Sequence, residues 1–393
     1  MFSIWWPAFL LPLAMVLGGV AGGVLPGRKY RGPRGVLPSE EQREADRVFC
    51  RFLWQFGLVY AALAFMVMRT VRLVSLSGQR WFLIGAVAVE IIGAALMVIP
   101  VERTLHALFG EDSIVTEQAP AKINLALLVG EKHPDGYHDV TSVMQSVSLC
   151  DTVTARRTSG GTTLTCSDPT LACDETNLAY RAAALFFEET GVEGGAALTL
   201  EKVIPMQAGL GGGSTDAAAV LRALRRLYAP DMPLEELERM AIRLGSDVPY
   251  CVRGATTLVE GRGEHLTQLT ALPACWCVLC KPDIACPTGA MYGEIDRRGA
   301  HLTLDVQEMV RALERGDLAA VCALVGNVFE QVIDPESDIF TIRRRLTELG
   351  ADAACMSGSG SAVFGLFTKE ETARAAQELL SQDYPRTFFA KIV

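Results

Sequence analysis

The densest chemistry in the chain lies at 205–217, Pro-Met-Gln-Ala-Gly-Leu-Gly-Gly-Gly-Ser-Thr-Asp-Ala, where four glycines fall within five positions. Glycine admits positive φ angles and lets backbone N–H groups approach a ligand closely. The alanine-rich run 217–221 reads as a helix whose positive end and unpaired N–H groups aim at the same spot. A polyanion, above all a nucleoside triphosphate, is the natural occupant. No Lys-Ser or Lys-Thr closes the loop as in the Walker pattern, and the spacing is not the dinucleotide fingerprint. The bland alternative is a glycine-rich turn with no ligand. Ser214-Thr215-Asp216 opening the helix argues against it.

Other polar groups stand out against apolar surroundings. After Pro120 the segment 119–127 alternates like a strand, so that Lys122 and Asn124 share one face and Ile123 and Leu125 the other. A lysine in such a strand, with an asparagine on its own face, has something polar to meet. His133-Pro134-Asp135-Gly136-Tyr137-His138 holds a strong turn signal, with an aromatic ring and an imidazole just beyond it. Asp247 sits in a short turn, Leu244-Gly245-Ser246-Asp247-Val248-Pro249, after an amphipathic helix expected over 234–243. By itself such a carboxylate reads as a cap or turn residue. Ser357-Gly358-Ser359-Gly360 forms a second glycine/serine turn before the apolar strand 363–367. It either offers phosphates more N–H groups or is a tight turn and nothing more.

The elements that hold these groups are split unevenly. With 393 residues, two or three domains are expected. A net charge of −9 argues against a nucleic-acid surface. Among the eleven cysteines the densest group is Cys275, Cys277 and Cys280, with Cys286 beyond. No matching second pair or histidine cluster follows, so 274–280 reads as a buried strand with reduced thiols rather than a metal site.

The first 110 residues read as membrane. A spanning helix needs roughly 20 apolar residues, and three segments, about 2–26, 52–74 and 81–101, are candidates, with Trp5, Trp6, Trp54 and Trp81 near their ends. The first loop carries seven basic residues from Arg28 to Arg51, whereas the stretch between Met68 and Trp81, which takes in the end of the second segment, carries only Arg69, Arg72 and Arg80. This orients the first loop to the cytoplasm. The N-terminus then lies outside and everything from residue 102 lies on the side where ATP is available. Glu90, inside the third span, is a functional candidate by its cost, but a hydrogen bond within a three-helix packing accounts for it more simply. Residues 102–115 form a linker.

Taken in order, Pro120-Ala121-Lys122-Ile123-Asn124-Leu125 with Asp135-Gly136-Tyr137-His138, the loop at 209–214, Gly245-Ser246-Asp247-Val248-Pro249, and the turn at 357–360 resemble the GHMP kinase superfamily over about 115–393. The opening pair narrows the likeness to the branch that phosphorylates the 2-hydroxyl of 4-diphosphocytidyl-2-C-methyl-D-erythritol in non-mevalonate isoprenoid synthesis. The resemblance implies a two-lobed α/β (α+β) fold, with an ATP-binding lobe at 115–275 and a second lobe at 276–393. It implies ATP and Mg²⁺ as cofactors and a small cytidine-diphosphate substrate, with no nucleic acid and no protein partner.

Carried over residue by residue, the catalytic pair falls on Lys122 and Asp247. Asp247 would take the substrate hydroxyl's proton as its oxygen attacks the γ-phosphorus, and Lys122 would offset the charge that builds there. Pro205 and Gly209, Leu210, Gly211, Gly212, Gly213, Ser214 and Thr215 supply the phosphate cradle; Asn177 and Lys202 approach adenine and phosphates. Asn124, Tyr137 and His138 hold the cytidine end, with Tyr292 as a second ring on the base. The hydroxyl of Ser214 or of Thr215 is the implied Mg²⁺ ligand, and Asp216 complements the helix dipole. Thr215 stands where serine is usual, Cys286 where the family has a small or apolar residue, and the membrane segment has no counterpart. Open alternatives are another small-molecule kinase of the superfamily, a membrane protein of independent function fused to a passenger kinase, and a start near Ile114 with a joined upstream gene.

Overall fold

The computed structural model describes residues 113–393. The three expected spans at 2–26, 52–74 and 81–101, with Glu90 in the last, lie outside the described residues. No described helix is long and apolar enough to cross a membrane.

Strands β1 (Ile114–Lys132) and β2 (His138–Thr158) form an antiparallel pair around the Pro-Asp-Gly turn, which is closed by His133 N–H donating to Tyr137 O at 2.7 Å. Gly136 takes φ 91°, which only glycine adopts without strain. The register of β1 slips between Pro120 and Lys122 and again between Asn124 and Ala126. Such bulges re-aim side chains locally, and these two flank the Lys122–Asn124 pair.

Then follow β3 (Gly161–Cys166), α1 (Leu178–Thr190), β4 (Gly195–Glu201), α2 (Gly212–Tyr228), α3 (Leu234–Ala241), α4 (Val248–Arg253) and the hairpin β5 (Thr256–Gly261) and β6 (His265–Gln268). The remaining elements are β7 (Trp276–Cys280), α5 (Thr288–Arg298), α6 (Val306–Glu314), α7 (Leu318–Ala323), β8 (Gly326–Asn327), α8 (Asp338–Glu348), β9 (Ala353–Met356), β10 (Val363–Phe367), α9 (Glu370–Ser381) and β11 (Thr387–Lys391). One sheet has the order β3-β4-β2-β1-β8, with β5 on the first half of β2 and β6 beyond it; a second, four-stranded sheet has the order β11-β7-β10-β9. Helices α1 and α2 pack together, and α2 also lies on β1 and β2. Ala217, Ala218, Ala219 and Ala223 are fully buried, and their small side chains let α2 approach the sheet closely. The cysteine-rich strand is β7, where Cys277 and Cys280 are fully buried and burial pushes the Cys280 thiol up to about 11.

Two local expectations change. The glycine run does not precede the helix but starts it. Gly211 is the N-cap in the left-handed region (φ 72°) and α2 begins at Gly212. Asp216 is therefore the fifth helical residue, past the turn where a carboxylate complements the dipole, and its partner is a lysine instead. Helix α3 ends at Ala241, two residues early, and a tight turn with Leu244 N–H donating to Ala241 O at 3.0 Å leads towards Asp247.

Candidate active site

A cleft of about 1120 Å³ takes in the glycine loop, the Lys122 face of β1, the start of α4, the β1–β2 turn and the first part of α5. Every residue expected at the site lines it except Thr215, which is 1% exposed with its hydroxyl unpartnered. Of the two hydroxyls expected at Mg²⁺, Ser214 is the one on the cleft wall.

At the phosphate end, the first intrahelical bond of α2 is Thr215 N–H to Gly211 O at 2.8 Å. The N–H groups of Gly212, Gly213 and Ser214 thus precede the helical ladder and form an anion seat at the helix's positive end. Gly209 (φ 73°) permits the close approach of the second glycine turn, because a Cβ there would fall 2.0 Å from Ser357 O. That second turn buttresses the loop. Ser357 Oγ donates to Gly209 O (3.0 Å), Ala362 N–H to Ala208 O (3.0 Å) and Gly358 N–H to Asn124 Oδ1 (2.9 Å), so these groups are occupied within the protein. Gly209→Ala is expected to cost more than about 1 kcal/mol, seen as a lower urea midpoint. Gly213→Ala, whose added carbon meets nothing within 4 Å, is the control that keeps stability.

Beside the loop, Lys202 Nζ is held by Asp151 and by Asp216 Oδ2 (2.7 Å), all three side chains almost fully buried. Asp151, in the second half of β2, also accepts from the N–H groups of Val203 and Ile204 and so fixes the approach to the loop. Sequence reasoning passed over it. Burial alone would lower the Lys202 pKa, but Asp216 and Asp151 outweigh it and hold it above its ordinary value. Burial pushes Asp216 up to about 7 against the pull of Lys202, and the neighbouring Asp151 adds to the rise. Between about pH 4 and 7 the folded chain then binds a proton that the unfolded chain has released. Its stability should therefore fall as pH rises through that window and level off above it. Urea unfolding of the metal-free protein across the window checks this, with Asp216→Asn expected to flatten the slope.

The central pair is Lys122 and Asp247, with Nζ 3.6 Å from Oδ2. Lys122 is 3% exposed and donates to Asn124 Oδ1 at 2.7 Å; Asn124 in turn donates to Ser142 Oγ at 2.8 Å. A buried ammonium is tolerated only with such partners. Asn124, expected on the cytidine, is thus engaged with the lysine and with the Ser357–Gly358 turn. Asp247 is the N-cap residue of α4, yet its side chain makes no capping bond and stays about a third exposed. The cap explanation therefore leaves its carboxylate unused, and that carboxylate faces Lys122. Helix α4 is anchored by the buried Tyr250 hydroxyl, which donates to Ala255 O at 2.9 Å.

At the far end, His138 stacks on Tyr292 (centroids 5.1 Å apart, 25° between planes), and Phe329 meets Tyr292 edge-on at 5.0 Å. Burial, then the charge of Asp247, push the Tyr292 hydroxyl up to about 12. Tyr137 is 60% exposed, lines the same cleft and lies under the Arg262 guanidinium at 5.3 Å. Asn177, expected near adenine, caps α1 by accepting from Ala179 N–H (2.9 Å) and donates to Ala172 O (2.7 Å). His138 Nε2 is 2.7 Å from Asp296 Oδ1, a contact that sequence reasoning missed although Asp296 lies one helical turn after Tyr292.

The fold agrees with comparisons to known proteins. The chain matches the family models "GHMP kinases N terminal domain" over 177–255 and "GHMP kinases C terminal" over 309–386, which defines its class. The 4-diphosphocytidyl-2-C-methyl-D-erythritol kinase of Exiguobacterium sibiricum is 43% identical over 259 residues, 65% of this chain and 90% of that relative. The enzyme of the same name from Geobacillus kaustophilus is 44% identical over 253 residues, 63% and 87% of the two chains. A crystal structure of 4-(cytidine 5'-diphospho)-2C-methyl-D-erythritol kinase superposes with a TM-score of 0.61 at 36% identity, covering 71% of this chain and 99% of that one. Homoserine kinase from Cytophaga hutchinsonii, 18% identical with a TM-score of 0.57 over 72% of this chain and 95% of its own, shares the fold alone. The chain belongs to the 4-diphosphocytidyl-2-C-methyl-D-erythritol kinase family of GHMP kinases.

Proposed function

We propose that this protein transfers the γ-phosphoryl group of ATP to the 2-hydroxyl of 4-diphosphocytidyl-2-C-methyl-D-erythritol. The observation that carries this reading is the Lys122–Asp247 pair at 3.6 Å, standing between an anion seat at one end of the cleft and a stacked His138–Tyr292 pair at the other. The N–H groups at the start of α2 hold the phosphates in line with the hydroxyl. Asp247 accepts the hydroxyl proton as its oxygen bonds to the γ-phosphorus and the bond to the β-phosphate oxygen breaks. Lys122, unable to move far inside its pocket, offsets the negative charge that gathers on the attacking and equatorial oxygens. The ring pair positions the cytidine end.

Mg²⁺ suits the oxygen donors beside the loop. The Ser214 hydroxyl is on the cleft wall, and Asp216 Oδ1 is buried in it without a hydrogen-bond partner. These two residues would hold the ion, which would neutralise charge on the β- and γ-phosphates. Residues 1–110 tether the kinase to a membrane with its cleft on the cytoplasmic side, a reading that rests on the long apolar segments and the basic first loop. Deleting 1–110 and following the kinase between membrane and soluble fractions tests the tether; no change in distribution would remove it.

Release of ADP by the full-length protein, followed with three acceptors, tests the substrate. Turnover with the cytidine-diphosphate compound at least about 100-fold above that with homoserine or mevalonate is expected, since a built polar site rejects ligands that leave it unpaired. Equal rates with all three would overturn the assignment.

A further inference from the structure

We propose that Asp296 is a positioning residue that selects cytosine over uracil by fixing the proton on His138. This rests on the cytidine-diphosphate reading above. Asp296, on α5, comes across to β2, so its two oxygens are taken separately: Oδ1 faces His138 Nε2 at 2.7 Å and Oδ2 accepts from Lys132 Nζ on β1. Lys132 first, and then His138, hold the Asp296 carboxyl below its usual range. An ionised carboxylate can only accept, so Nε2 must carry the hydrogen. In the neutral ring the lone pair then belongs to Nδ1, which makes no hydrogen bond among the described residues, on a side chain that lines the cleft.

The chemistry of the two bases differs at that point. Cytosine presents a donating amine at C4, whereas uracil presents an accepting carbonyl. An acceptor at Nδ1 therefore pairs with cytosine and opposes uracil, and the opposite tautomer would reverse the choice. Stacking on Tyr292, itself braced by Phe329, keeps the ring plane fixed, so the proton's position is the remaining variable. A merely structural latch between α5 and the β1–β2 hairpin would use the same contacts but would have no bearing on which base binds.

The test is calorimetric binding of CDP and UDP to the full-length protein with the glycine loop saturated by ADP, in the unaltered protein, Asp296→Ala and Asp296→Asn. The unaltered protein is expected to favour CDP by at least about tenfold, about 1.4 kcal/mol. Asp296→Ala should bring the ratio close to one. Asp296→Asn, whose amide donates as well as accepts, allows both tautomers and should give an intermediate ratio; it also carries the test if the alanine variant does not fold. Nitrogen-15 spectra of the His138 ring should move from the Nε2–H form to a mixture in the variants. A CDP/UDP ratio unchanged in a folded variant, or equal weakening of both nucleotides, would overturn the proposal and leave the kinase assignment standing. No preference for CDP in the unaltered protein would count against the cytidine reading itself.

Discussion

Asp247→Asn is expected to lower kcat by about 100- to 10,000-fold, the range set by loss of a positioned general base. Asparagine keeps the size and the N-cap position, and the native side chain makes no capping bond, so little stability is at stake. What disappears is the proton acceptor beside the reacting oxygen and the charge that faces Lys122. ATP binding should be almost unchanged, because the anion seat lies on α2 and not on α4. Single-turnover measurement separates the two: the burst of product is lost while nucleotide titration is retained. A variant with near-normal kcat would mean that the hydroxyl loses its proton elsewhere.

Lys122→Met should lower kcat by about 100- to 1,000-fold, comparable with removing one preorganised charge-stabilising donor. Methionine fills the same channel without the ammonium. Asn124 Oδ1 keeps its bond from Gly358 N–H, so the strand and the second glycine turn stay joined. Arginine should fail to restore activity. The lysine stem runs so close to Gly211 that a Cβ there would stand 3.0 Å from Lys122 Cγ, and the wider guanidinium has no room to reach Asp247 in the same way. Steady-state kinetics of the two variants check this; recovery by arginine would show that any positive charge near the site suffices.

The groups that local pattern dictates were legible before any coordinates. A lysine and an asparagine on one strand face, a Pro-Asp-Gly turn, four clustered glycines and an Asp two residues before Pro249 each signal their local geometry, and all line one cleft. The limits fell where geometry depends on chain segments far apart in sequence. Nothing near Asn124 indicates that its amide would be met by the turn at 357–358, more than 200 residues later, or that Tyr292 would stack on His138. Two signals were present and underused. Asp151 is a fully buried carboxylate within β2, which demands a partner, and it found Lys202. Asp296 follows Tyr292 by four residues and so shares its helix face. A glycine run normally disfavours helix, yet α2 starts within one, at Gly212. Here the left-handed cap at Gly211 and the packing of the alanines behind it outweigh the propensity.

One product decides whether Asp247 and Lys122 act on the 2-hydroxyl. Full-length protein incubated with ATP, Mg²⁺ and 4-diphosphocytidyl-2-C-methyl-D-erythritol should give, in phosphorus-31 spectra, a new phosphomonoester on the C2 oxygen in step with ADP, while the Asp247→Asn protein gives almost none. ADP without that phosphomonoester, or a phosphate on another oxygen of the substrate, would contradict the assignment of Asp247 and Lys122 to the 2-hydroxyl.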